Sequence, residues 1–126
     1  MSMRILYIDD EADIREIAQM ALQLDPDFAV ETRGSGREGI AAARDWNPTL
    51  ILLDVMMPEL DGPTVLGLLR EDPVTAGIPV VFITARTQAQ EVAHLRSLGA
   101  CGVIAKPFDP MALAGQVRDF LDERNG

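Results

Sequence analysis

The stretch LILLDVMMPELDG, residues 50–62, begins as an apolar run and stops at a carboxylate, Asp54. A run with no polar face to offer water reads as a strand buried on both sides, and such strands belong to parallel sheets covered by helices. The bare acid at its end, followed by Met56, Met57 and Pro58, has no packing reason to be there. Its purpose has to be sought in what the rest of the chain brings beside it.

Counting this run as TLILLD (49–54), five segments rich in Ile, Val and Leu read as strands, the others being RILYI (4–8), FAVET (28–32), PVVFIT (79–84) and GVIAK (102–106). Helical spacing lies between and after them. Ile14, Ile17, Ala18, Ala21 and Leu22 follow one buried stripe. Ser35 precedes GREGIAAARDW, Pro63 sits early in PTVLGLLRE, and Asp109-Pro110 opens PMALAGQVRDFLDER, each a helix-start signal. The last helix carries Leu113, Val117, Phe120 and Leu121 on its docking side. Strand and helix alternate five times without linker or repeat, which predicts an α/β fold, a doubly wound five-stranded parallel sheet with five helices, in one domain over residues 1–126.

Composition narrows the function. Hydrophobic residues make up 48% and charged residues 25%, the balance of an ordinary globular domain. Twenty acidic residues against 11 basic give a formal charge of -9, which disfavours nucleic acid and anionic membranes as partners and suits a cation or a basic protein face. No run approaches a membrane span or a signal peptide, and Cys101 as the only cysteine excludes an internal disulfide, so the expected compartment is the cytoplasm. Cys101 reads as a small core or loop-edge residue, and Tyr7, Trp46 and His94 read as two packing residues and a solvated histidine.

In open sheets of this class ligands bind at the carboxyl ends of the strands, near the point where strand order reverses. The first strand ends in Asp9, Asp10 and Glu11, the third in Asp54, the fourth in Thr84 and the fifth in Lys106-Pro107; the second has nothing comparable. The flavodoxin-like order 2-1-3-4-5, adopted from known sheets of this kind, gathers all of these on one rim. Asp9, Asp10 and Asp54 would then repel one another unless a cation is present. Lys106 supplies one charge, and Mg2+ suits an all-oxygen site for the rest. The plainer alternative, in which the acids only cap a helix and a loop, accounts for one aspartate more easily than for three facing a lysine. An aspartate flanked by two cations can attack phosphorus, with Thr84 placed to donate a hydroxyl to a phosphoryl oxygen.

Asp9-Asp10, DVMMPELDG from Asp54 to Gly62, Thr84-Ala85 and Lys106-Pro107-Phe108 occur in an order and spacing that resemble the receiver domain of two-component response regulators along essentially the whole chain. The resemblance implies Asp54 as phosphoacceptor, Asp10 as a direct Mg2+ ligand, Asp9 as a ligand acting mainly through water, and the Met56 backbone carbonyl as a further ligand. It implies Thr84 as the switch hydroxyl, Lys106 as the phosphate-pairing ammonium and a cis Lys106-Pro107 bond. Pro58 and Asp61-Gly62 would turn the loop away, with Met56 and Met57 as packing and loop residues whose side chains do no chemistry. One departure is Val103, where the family usually places Tyr or Phe, which puts the aromatic readout in doubt. Arg86, two residues after Thr84, either stabilises incoming phosphate or is solvated.

The function implied is a stand-alone signalling switch, not an enzyme beyond its own phosphorylation and dephosphorylation. Its phosphoryl donor would be a histidine kinase or histidine phosphotransfer protein, its reader a downstream output protein, and its own state monomer or weak homodimer. One alternative is a Mg2+-dependent phosphatase of the haloacid dehalogenase type, which needs a second acid where this chain has Met56. The other is an unphosphorylated binding module on the same fold.

Overall fold

The computed structural model describes residues 2–125. Five strands, β1 (Met3–Ile8), β2 (Phe28–Arg33), β3 (Leu50–Asp54), β4 (Val80–Thr84) and β5 (Gly102–Ala105), alternate with α1 (Ala12–Leu22), α2 (Gly36–Trp46), α3 (Gly62–Glu71), α4 (Ala89–Ser97) and α5 (Leu113–Asn125). The strands form one parallel sheet in the order β2-β1-β3-β4-β5, as expected.

Every residue of β3 and β4 is buried, because both faces of these central strands are covered. Side chains alternate between the faces with period two. Leu6, Ile8, Ile51, Leu53 and Phe82 meet α2 and α3 through Ala43, Val65 and Leu69, while Ile5, Leu50, Leu52, Val81 and Ile83 meet α1 and α5 through Ala18, Leu22, Val117 and Leu121. The edge strand β2 is only half-buried beyond Phe28.

Helix starts follow their caps. Ser35 accepts the Glu38 N–H, and Asp61 accepts the Thr64 N–H with Pro63 in the first turn. At Asp109 the outcome differs in detail: its side chain accepts the Met111 N–H and its carbonyl accepts from both Ala112 and Leu113, so the chain makes a tightened turn and regular helix begins at Leu113. The α1 stripe also departs from expectation. Ala18, Ala21 and Leu22 are buried, but Ile17 is 38% exposed.

Gly62 and Gly102 are two of the glycines fixed by close approach. A Cβ on Gly62 would stand 2.6 Å from the Asp54 carbonyl oxygen and 2.9 Å from the Val55 Cα, while the Gly62 N–H donates to the Val55 carbonyl at 2.9 Å. The start of α3 is thus pressed against the backbone that carries Asp54. Gly62→Ala should cost about 1–3 kcal/mol, the usual range for overpacking a tight site, and should weaken metal binding at Asp54 as well; a chemical melt and a Mg2+ titration of that variant check both effects. On the far side, Gly102 admits the Phe120 ring, whose edge would lie 2.1 Å from a Cβ there.

Candidate metal and phosphoacceptor site

The four strands that carry the odd polar residues end side by side. Asp9 follows β1, where its N–H donates to the Arg33 carbonyl at 3.1 Å, so the end of β2 contributes backbone although not a side chain. Asp54 closes β3, the Val55 N–H donates to the Ile83 carbonyl at 3.2 Å, and the Lys106 N–H donates to the Thr84 carbonyl at 2.9 Å. The ladder therefore sets the relative heights of these residues. The Lys106-Pro107 bond is cis, as expected.

One carboxylate oxygen from each of Asp9, Asp10 and Asp54 falls within a 4.8 Å span. Asp9 is fully buried, Asp54 is 4% exposed and Asp10 lies open to solvent. Lys106, the only lysine of the chain, sits over them with its ammonium 3.0 Å from Asp9 Oδ2, 3.3 Å from Glu11 Oε1 and 3.4 Å from Asp54 Oδ2. Its three donors meet three acceptors.

The electrostatics follow from crowding. Burial and the neighbouring charge of Asp9 push the Asp54 carboxyl up to about 6, even though Lys106 and the Met56 backbone N–H pull it down. Burial draws the Lys106 ammonium down, but its hydrogen bond to Asp9 and the charges of Asp54 and Asp9 outweigh that and push it up to about 12. It stays protonated at any physiological pH. A cup with one fixed cation and three close carboxylates retains excess negative charge, and its donor atoms are all oxygen. This set fits a hard divalent cation, Mg2+ in particular.

Asp54, Thr84, Lys106, Glu11 and Met56 all line one cavity of about 500 Å3, walled on its apolar side by Ile14, Ile17, Pro107, Phe108 and Pro110. Thr84 Oγ1 accepts the Arg86 N–H at 3.0 Å, which leaves its hydroxyl proton to point elsewhere. Arg86 itself is exposed. Met56 is 70% exposed at the cavity rim, whereas Met57 is buried in the core, so one methionine is the loop residue and the other the packing residue. Val103 is half-buried against the core, His94 is exposed and Cys101 is half-buried at the entry to β5.

Two residues take part in the site to which the sequence assigns no role there. Glu11 joins the lysine's partners, and Tyr7, expected only to pack, donates its phenol O–H to Asp9 Oδ2 at 2.9 Å. Burial first, and then the charge of Asp9, raise the ionisation of that phenol far above its ordinary value, so it remains a donor. The signal was present in the spacing: a tyrosine two residues before a strand-end acid lies on the same face of the strand.

Comparison with known proteins shows the family. The family model described as the response regulator receiver domain matches residues 5–118. The DNA-binding response regulator MtrA of Mycobacterium tuberculosis (strain ATCC 25618 / H37Rv) is 36% identical over 121 residues, covering 96% of this chain and 51% of that protein. The response regulator Rre1 of Synechocystis is 36% identical over 117 residues, covering 93% of this chain and 51% of its own length. This chain spans about half the length of these relatives. Among solved structures, the chemotaxis protein CheY4 of Vibrio cholerae superimposes with a TM-score of 0.87 at 28% identity, over 95% of this chain and 99% of that one. A response regulator from Desulfuromonas acetoxidans gives 0.84 at 28% identity, over 95% and 97%.

Proposed function

The chain belongs to the response regulator receiver domain family, and on that premise we propose that Asp54 accepts a phosphoryl group and that the resulting charge changes a partner-binding surface. The observation that carries this reading is the convergence of Asp54, Asp9 and Asp10 within one 4.8 Å span under Lys106. A nucleophilic carboxylate needs to be ionised and aimed, and the phosphoryl oxygens need compensating charge.

In the proposed step an Asp54 carboxylate oxygen attacks phosphorus of a phosphohistidine. A P–O bond forms, the P–N bond breaks, and the departing imidazole takes up a proton. Lys106 pairs with the transferring oxygens, and the Thr84 hydroxyl donates to one of them once they arrive. Asp9, Asp10, Asp54 and the Met56 carbonyl would hold Mg2+, which when bound supplies charge neutralisation at the phosphoryl oxygens. The product carries about -1.5 to -2 charges where a single carboxylate stood. That change acts on the loop after β4 through Thr84, with Val103 on β5 offering no swinging ring.

The donor in this reading is a histidine kinase or histidine phosphotransfer protein and the reader is an output protein. DNA binding, part of the name of MtrA, is assigned to that protein; at a charge of -9 this domain is proposed to work through protein contacts, as monomer or weak homodimer. Its proposed setting is the cytoplasm, and no helix among the described residues is long and apolar enough to cross a membrane. We read residues 1–126 as one receiver domain, and its only catalysis as its own phosphorylation and dephosphorylation.

Incubation with a small acyl phosphate and Mg2+ should add one phosphoryl group, stripped by hydroxylamine and seen by intact mass. Addition of excess chelator before the donor should suppress the adduct. Uptake that persists without divalent metal would count against the site as drawn.

A further inference from the structure

We propose that Tyr7 is a positioning residue of the acidic cup: its phenol O–H locks the Asp9 side chain and so determines which carboxylate oxygens are left for a divalent cation. The proposal rests on the reading of the cup as a Mg2+-dependent phosphoacceptor site.

Period-two alternation places Tyr7 and Asp9 on the same side of β1, and the phenol reaches Asp9 Oδ2 at 2.9 Å. Lys106 donates to that same oxygen at 3.0 Å, and the Glu11 N–H takes Oδ1 at 3.0 Å. A carboxylate offers about four lone-pair sites. Three are occupied, and what remains of Asp9 is a single position on Oδ1. Asp10, exposed one residue later, keeps its oxygens open. The phenol thereby divides the labour of the adjacent acids: Asp9 becomes a fixed charge with one open acceptor, and Asp10 becomes the more available ligand.

A second contact ties this lock to the other side of the cup. The Phe108 ring meets the Tyr7 ring edge-on, with centroids 6.4 Å apart and planes at 74°. Phe108 follows Lys106-Pro107, so the ring that orients Asp9 is itself seated by the loop that carries the ammonium. Every buried side-chain polar atom among the described residues has a hydrogen-bond partner, and removing the phenol O–H would take one of the three donors from a fully buried carboxylate.

Tyr7→Phe keeps the ring and its contact with Phe108 and deletes only the donor. Calorimetric titration of the full chain with Mg2+ should give a dissociation constant about tenfold weaker in the variant than in the parent, the loss typical of removing an outer-shell partner of a ligating side chain. A second readout does not depend on phosphoryl chemistry. Trp46 also contributes in the near ultraviolet, so the tyrosine band is taken as the difference in circular dichroism between parent and Tyr7→Phe; it should change as Mg2+ is added, and the change should be lost in Asp10→Asn. Equal or tighter Mg2+ binding by Tyr7→Phe overturns the proposal and leaves the phosphoacceptor reading intact, as does a tyrosine band that ignores saturating Mg2+. A parent protein that binds no Mg2+ at all overturns the phosphoacceptor reading itself.

Discussion

Replacing Asp54 by asparagine should abolish phosphoryl uptake and, in the absence of metal, make the protein more stable. The first effect follows from the loss of the nucleophile. The second follows from crowding, since Asp54 is ionised in a buried position beside Asp9 at a cost that Lys106 only partly offsets. The folded-state value of about 6 lies above the ordinary 3.8. Below the ordinary value both folded and unfolded chains hold the proton and the group contributes nothing. As pH rises from there through about 6 the folded chain keeps a proton that the unfolded chain has released, and stability from this group falls. Above about 6 the penalty is complete, and at 1.36 kcal/mol for each unit it amounts to roughly 2–3 kcal/mol. The difference in melting temperature between Asp54→Asn and the parent should therefore be largest near neutrality, shrink toward pH 4, and narrow when Mg2+ is added, because the ion stabilises the parent, with its full ligand set, more than the variant. Paired melts at several pH values measure it, and a variant less stable than the parent at neutral pH would contradict the account of the cup.

Lys106→Met should separate catalysis from metal binding. Methionine is similar in length but has no charge, and it withdraws the donor shared by Asp9, Glu11 and Asp54. Without it the transferring oxygens lose one fixed partner, and uptake from a small phosphodonor should slow by about 10²–10³, the usual cost of one oriented donor. Mg2+ affinity should move the other way. The ammonium and the dication share the same carboxylates, so the cup without lysine holds the ion more tightly. Rapid-quench uptake alongside a Mg2+ titration tests the pair of effects. Weaker binding together with slower uptake would mean that Lys106 merely holds the cup in shape.

Much of this was legible before any coordinates. Apolar runs broken by Ser35, Pro63 and Asp109-Pro110 carried the alternation of strand and helix, and their ends carried the site. The order of the strands was not legible from the residues, since hydrophobic patterning says that a strand is buried and not which strand is beside it; that order came from known sheets. Tyr7 packs in the core as expected, but its hydrogen bond shows only when period two is followed past the strand end to Asp9. Ile17 was misread because helical spacing treats a stripe as uniform, whereas that residue lies on the cavity wall. The separation of Met56 from Met57 depends on the loop backbone, which no periodicity describes.

The solitary lysine has a consequence for chemistry applied from outside. Ten arginines carry the rest of the positive charge, and a guanidinium resists acylation and reductive methylation. Reagents selective for side-chain amines thus have a single address in this molecule, and that address is the ammonium above the cup.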